Sequence, residues 1–275
     1  TFTLAAGLNS KKIRPDTLFE NLESKIKCSK FIITEHDPLP KNLTAEQILI
    51  RSGNIGSVRI GQKVGEENLK NFFSKLDILE MIDFDIEEVG KPIKFNWGKC
   101  PLATASFGHG ITTTLLQLAK AYSIIVNGGF NIEPKLIKYE KETKKEKVLN
   151  SEVSEKILPI LRKIVTEKEG TASLANIEGY EIGGKTGTAQ KSSAGGYSNK
   201  KINSFISVFP TSKPKFVLAV MLDEPKPAPD YIYEFPPSEK FPEGYKYKGE
   251  KRNTAGWNAV VVAGKIIEKI GPILA

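Results

Sequence analysis

Ser52-Gly53-Asn54 places a hydroxyl and a carboxamide two residues apart, directly after a predicted helix. Both side chains reach one cleft if the intervening glycine makes the turn. The hydroxyl can relay a proton, and the amide can donate to and accept from a peptide-like ligand. Taken alone, Ser-x-Asn triplets are mostly ordinary caps and turns.

A second run, Gly183-Gly184-Lys185-Thr186-Gly187-Thr188-Ala189-Gln190-Lys191, combines small residues with a cation and hydroxyls. Small residues in a strand allow close approach to the backbone. Lys185 supplies positive charge, and the threonines supply donors suited to a carboxylate. A glycine-rich bulged strand is the structural alternative. A phosphate loop is excluded, because the Walker pattern needs its Gly-Lys-Ser/Thr to open a helix, whereas the residues after Lys185 read as strand. A third segment, Ser106-Phe107-Gly108-His109-Gly110-Ile111-Thr112, holds one of two histidines. It has no Gly-x-Ser-x-Gly elbow and no acid partner placed by sequence, so a structural turn is the better reading of His109.

The elements that position these residues follow from periodicity. Phe2, Leu4, Ala5 and Leu8 share one face of a short helix. Thr44-Ala45-Glu46-Gln47 reads as a capping box opening a helix over Ala45–Ile50 that delivers the chain to Ser52. Two helical pieces follow, Ile55–Val64 and Glu67–Leu76, separated by Gly65. Thr112–Val126 is an amphipathic helix stopped by Asn127-Gly128-Gly129. The charged run Lys138–Lys147 reads as a solvated hairpin or loop, and Ser154–Glu167 as a further helix. From there the period changes, and Tyr180–Lys191, Ile202–Phe209 and Phe216–Asp223 read as three antiparallel strands joined by short turns. Six prolines between Pro225 and Pro242 predict an irregular excursion over 225–253. A final helix runs over about 254–270. Helices over about 1–175, strands over about 180–224 and a closing helix predict an α+β fold.

Composition narrows the class. The chain has 275 residues, 40% hydrophobic and 26% charged, which excludes disorder, collagen and a disulfide-stapled mini-fold. The net charge is +8 with 40 basic against 32 acidic residues. The lysines are spread along the whole chain without aromatic interleaving, which argues against nucleic-acid binding. Cys28 and Cys100 form no C-x-x-C. Pairing in an oxidising compartment and burial as free thiols both remain open. No apolar run is long enough to span a bilayer.

Taken together, Ser52-Gly53-Asn54, Lys185-Thr186-Gly187, the stretch Ser106-Phe107-Gly108-His109-Gly110 with Gln117-Leu118-Ala119, and the wording Lys185–Lys191 resemble the class B penicillin-binding proteins. These are monofunctional peptidoglycan D,D-transpeptidases, and the wording of Lys185–Lys191 resembles their cell-division branch, as do Ser204-Phe205 and Asp223-Glu224-Pro225. The resemblance implies a serine-transpeptidase fold and acyl transfer from stem peptides ending in D-Ala-D-Ala. By this likeness Ser52 passes a proton towards the leaving amine, and Asn54 binds the substrate backbone. Lys185 sets the local positive potential and poises the Ser52 hydroxyl. Thr186 and Thr188 offer hydroxyls to the terminal carboxylate, and Gly187 keeps the strand edge clear. The backbone N–H of Thr188 serves in the oxyanion hole. No cofactor or metal is implied. The implied partners are stem peptides, β-lactams for the full-length protein, and cell-division proteins. The implied location is the periplasmic face of the cytoplasmic membrane.

His109 and Leu115 stand where the resemblance favours glutamine and proline. The family's Ser-x-x-Lys is absent: Ser24-Lys25-Ile26-Lys27 matches the letters but follows Thr1–Leu8, which resembles the helix that continues from that motif. The nucleophile is therefore expected just before residue 1, and this chain alone is expected to be inactive. The alternatives are a D,D-carboxypeptidase, with water as acceptor, or a non-catalytic module that binds cell-wall peptide.

Overall fold

The computed structural model describes all residues except 30, 87–89, 138–145, 194–195, 239–240, 250–251 and 275. The chain divides into two compact units, Thr1–Ile157 and Leu158–Ala275.

At the centre of the first unit is α1 (Phe2–Asn9). Leu4, Ala5 and Ala6 are each at most 2% exposed, so this helix is buried nearly all round rather than on the single face its sequence suggests. A Cβ on Gly7 would stand 2.6 Å from the Ile13 side chain, so glycine lets the next turn of chain close onto the helix. Two small antiparallel pairs follow: β1 (Leu18–Phe19) with β4 (Leu43–Thr44), and the hairpin of β2 (Lys25–Cys28) and β3 (Phe31–Thr34). These strands lie within the region expected to be helical.

Helix α2 (Ala45–Ile50) starts on the predicted capping box, with Thr44 and Gln47 bonded reciprocally. Next come α3 (Asn54–Val64) and α4 (Glu66–Lys75), broken at Gly65, whose φ of 87° suits a residue without a side chain. Helix α5 (Lys99–Ser106) is joined to β2 by a Cys28–Cys100 disulfide, so the pairing that the sequence left open is made. Helix α6 (Leu115–Val126) begins three residues later than its periodicity suggests, because Thr114 and Gln117 form a second capping box there. Most of the charged run 138–147 lies outside the described residues.

Helix α7 (Ser151–Thr166) continues into the second unit. There β5 (Gly183–Ser193), β6 (Gly196–Phe209) and β7 (Phe216–Asp223) form one antiparallel sheet in the order β5-β6-β7. Phe205 and Val208 are fully buried on it, and so are Ala259, Val260, Ala263 and Ile267 of α8 (Ala259–Leu274). A 3₁₀ turn, Ala255–Trp257, precedes α8, so the last helix starts later than Thr254.

Segment 225–253 is not irregular throughout, as expected from its prolines. It holds the hairpin β8 (Ile232–Phe235) and β9 (Tyr245–Lys248), cross-linked by a Glu234–Lys246 ion pair of 2.7 Å. All six prolines fall outside the two strands, where a missing N–H costs nothing. Tyr233, Phe235 and Tyr247 pack edge-on or tilted around Trp257, with centroids 5.0, 5.8 and 5.2 Å away. This aromatic cluster supplies the hairpin with a core of its own. Among the described residues no helix is long and apolar enough to cross a membrane.

Candidate active site

In the first unit, the Ser52 turn is made by the way α2 ends. The Gly53 N–H donates to the Ile48 carbonyl at 2.9 Å and the Ser52 N–H to that of Leu49 at 3.2 Å. This pair of bonds defines a Schellman stop, which places Ser52 at the position where glycine ordinarily stands. Ser52 accordingly has a φ of 58°, the left-handed region, while remaining exposed. Such a conformation costs an L-residue about 1 kcal/mol, and non-glycine residues held in it cluster at functional sites.

Gly53 then enters α3 with extended backbone, and a Cβ there would lie 3.0 Å from Leu39 Cδ1. Asn54 is fixed from two sides. Its Nδ2 donates to the Thr34 carbonyl at 2.9 Å, and its backbone N–H donates to Glu35 Oε2 at 2.7 Å. The next amide, Ile55 N–H, donates to Glu35 Oε1 at 2.8 Å.

The Ser106–His109 segment closes α5. Ser106 is buried; its carbonyl accepts from Thr3 Oγ1 at 2.6 Å, and its hydroxyl donates to the Leu102 carbonyl at 2.6 Å. Gly108 and Gly110 have φ of 87° and 79°, and the His109 ring stacks on Phe107 at 5.8 Å. Burial pushes the His109 imidazole below its ordinary pKa. These are the features of a tight turn, in keeping with the structural reading of His109.

In the second unit, Lys185, Thr186, Gly187 and Thr188 lie consecutively on β5, opposite Ile206, Phe205, Ser204 and Asn203 of β6. Among the described residues only β6 pairs with β5 in this sheet, and the other edge of β5 carries no strand partner there. Gly184 is required by packing, since a Cβ would stand 2.6 Å from the Ile206 carbonyl oxygen and 2.7 Å from the Phe205 ring. At Gly187 a Cβ would meet the Ser204 hydroxyl alone, 2.7 Å away.

The Lys185 ammonium donates to the Thr186 carbonyl at 3.1 Å. Burial lowers its pKa from 10.5 to about 8, which keeps it a cation at neutral pH but an easily discharged one. Thr186 Oγ1 is 2.8 Å from Thr171 Oγ1, at the loop that follows α7. Thr188 Oγ1 accepts from the Ala255 N–H at 3.0 Å, which leaves its own proton for a further acceptor.

Ser52 and Asn54 thus share one turn of the first unit, while Lys185, Thr186, Gly187 and Thr188 share one strand of the second. The sequence reading missed Glu35, Thr34, Thr171 and Ala255. Glu35 and Thr171 contact the site through loops 19 and 15 residues away along the chain, and no local pattern marks them.

A chain with an α-helical first unit, an antiparallel sheet closed by a helix, and a Lys-Thr-Gly strand has the architecture of the penicillin-binding serine transferases. The family model for "Penicillin binding protein transpeptidase domain" matches residues 1–238. The chain belongs to that family, and within it to the transpeptidase domains of the class B penicillin-binding proteins.

Among its relatives, it is 28% identical over 99% of its length to the Caulobacter vibrioides protein named "Probable peptidoglycan D,D-transpeptidase FtsI", of which it spans 45%. It is 34% identical over 66% of its length to "Stage V sporulation protein D" of Bacillus subtilis, of which it spans 30%. The chain therefore spans half or less of the length of these relatives. Solved structures give the same fold. The transpeptidase domain of Burkholderia pseudomallei penicillin-binding protein 3 matches with a TM-score of 0.79 at 23% identity, covering 98% of this chain and 77% of that one. An ampicillin complex of Mycobacterium tuberculosis penicillin-binding protein 3 matches with a TM-score of 0.80 at 19% identity, covering 98% and 60%.

Proposed function

We propose that this chain supplies the accessory half of a D,D-transpeptidase active site that cross-links peptidoglycan stem peptides ending in D-Ala-D-Ala. Lys185 and the Thr186 and Thr188 hydroxyls receive the terminal carboxylate, and the Thr188 backbone N–H polarises the scissile carbonyl. Asn54 binds the substrate backbone, and Ser52 relays the proton to the departing D-alanine. One observation carries the reading: Lys185, whose pKa burial lowers to about 8, stands on the same strand as Thr188, whose hydroxyl accepts from the Ala255 N–H and so keeps its proton for an anionic end group.

The nucleophile and its lysine base belong, on this reading, to residues ahead of Thr1. Ser24 and Lys27 do not replace them. Ser24 immediately precedes β2 and Lys27 lies within it, and residues three apart on extended chain point to opposite faces, whereas on a helix they share one. Alone, the chain is inactive and forms no covalent adduct with a β-lactam. The wording of Lys185–Lys191 favours a role in cell division, with the whole protein held at the periplasmic face of the cytoplasmic membrane. The Cys28–Cys100 disulfide fits that oxidising compartment.

The test is a turnover assay of the protein extended upstream through its Ser-x-x-Lys, given a D-Ala-D-Ala donor peptide and an amine acceptor. Cross-linked product that disappears with Lys185→Ala supports the proposal. Hydrolysis without cross-linking would replace it with a carboxypeptidase, and no turnover at all would refute it.

A further inference from the structure

We infer that Glu35 is a positioning residue for the reaction, acting through Ser52-Gly53-Asn54; this rests on the transpeptidase reading of that turn. Its carboxylate accepts from two successive backbone amides, Asn54 at 2.7 Å and Ile55 at 2.8 Å, one through each oxygen. These are among the N–H groups that the first turn of α3 leaves without helical partners, so the Glu35 carboxylate completes the start of the helix. The adjacent Thr34 carbonyl takes the Asn54 side-chain Nδ2. Strand β3 and the residue after it therefore hold Asn54 at both its main chain and its amide, and fix which way the carboxamide faces.

The clamp has work to do, because the turn it holds is unfavourable by itself. Ser52 occupies the left-handed region in place of glycine, and a Cβ at Gly53 would press on Leu39 Cδ1 at 3.0 Å. A turn of this kind, left unsupported, would relax and carry the Ser52 hydroxyl and the Asn54 amide off their positions. The arm that carries Glu35 is itself anchored. Its strands β2 and β3 pair in register from Lys25↔Thr34 to Cys28↔Phe31, and Cys28 is bonded to Cys100 of α5 at the turn end. The hairpin is thus a strut with one end tied to α5 and the other gripping the entry to α3.

Two readouts test this. In the present chain, amide hydrogen exchange at Asn54 and Ile55 is expected to quicken about tenfold or more in Glu35→Ala, and less in Glu35→Gln, which keeps one acceptor oxygen. In the protein extended through its Ser-x-x-Lys, the first-order rate constant of acylation by penicillin is expected to fall roughly 10- to 100-fold, with the pre-covalent dissociation constant changed by less than about threefold. Glu35→Gln should recover part of that rate. Should the alanine variant fail to fold, the glutamine variant decides on both readouts. Unchanged exchange, or an acylation rate that falls only at temperatures where the variant melts, overturns the inference. An extended parent protein that is not acylated at all overturns the transpeptidase reading instead, while the exchange experiment still decides whether Glu35 holds the turn.

Discussion

Raising the pH should discharge Lys185 far earlier than an ordinary lysine, and both ligand binding and stability should record it. Burial places its pKa at about 8 against 10.5 in the unfolded chain. That difference of 2.5 is worth about 3 kcal/mol of disfavoured charge in the fold. The ammonium is then about nine-tenths charged at pH 7 and about one-tenth charged at pH 9. If the charged form alone receives the terminal carboxylate, the affinity for an N-acylated D-Ala-D-Ala peptide falls about tenfold across that interval.

The stability effect has the opposite sense. Between about 8 and 10.5 the unfolded chain holds the proton that the folded chain has lost, so stability rises with pH, whereas below 8 both hold it and the burial cost is constant. Lys185→Met removes this dependence, and the stability difference between parent and variant should change by up to about 3 kcal/mol over that window. The assay is an NMR titration of the Lys185 Cε–Hε resonances, alongside peptide binding and denaturant unfolding at matched pH. A folded-state titration near 10.5, or peptide affinity that is flat from pH 7 to 9, would refute the burial argument.

Two further outcomes follow from the first unit. Ser52→Gly should stabilise the fold by about 1 kcal/mol, because glycine takes the left-handed position without strain, while abolishing the proposed proton relay. Denaturant midpoints and acylation rates should therefore move in opposite directions. Removing the Cys28–Cys100 bond, which spans 72 residues, should cost about 4 kcal/mol by loop-closure entropy and lower the melting temperature by about 10 °C. Scanning calorimetry of a Cys28→Ser/Cys100→Ser variant checks this.

What was legible in the sequence was what local chemistry encodes. The Thr44–Gln47 box set the start of α2, Gly65 separated α3 from α4, and alternation over Ile202–Phe209 and Phe216–Asp223 marked two of the sheet strands. Single features misled where a neighbour outweighed them. Thr112–Thr114, expected to begin the helix, lost it to the Thr114 cap, and prolines masked the β8–β9 hairpin, whose aromatic cluster draws on Trp257 beyond the segment. In the site, Lys185 and the threonines stood out because they are consecutive. Glu35 and Thr171 did not, because their partners are joined to them by the fold rather than by spacing. The disulfide was open for the same reason.

The most direct test of the central claim is intact-mass spectrometry after incubation with a penicillin, for this chain and for the protein extended upstream through its Ser-x-x-Lys. The account predicts no covalent adduct on the chain beginning at Thr1, and one penicilloyl group on the extended protein. A stoichiometric adduct on the shorter chain would contradict it and direct peptide mapping first to Ser24. An extended protein that stays unmodified would contradict the assignment of acyl transfer itself.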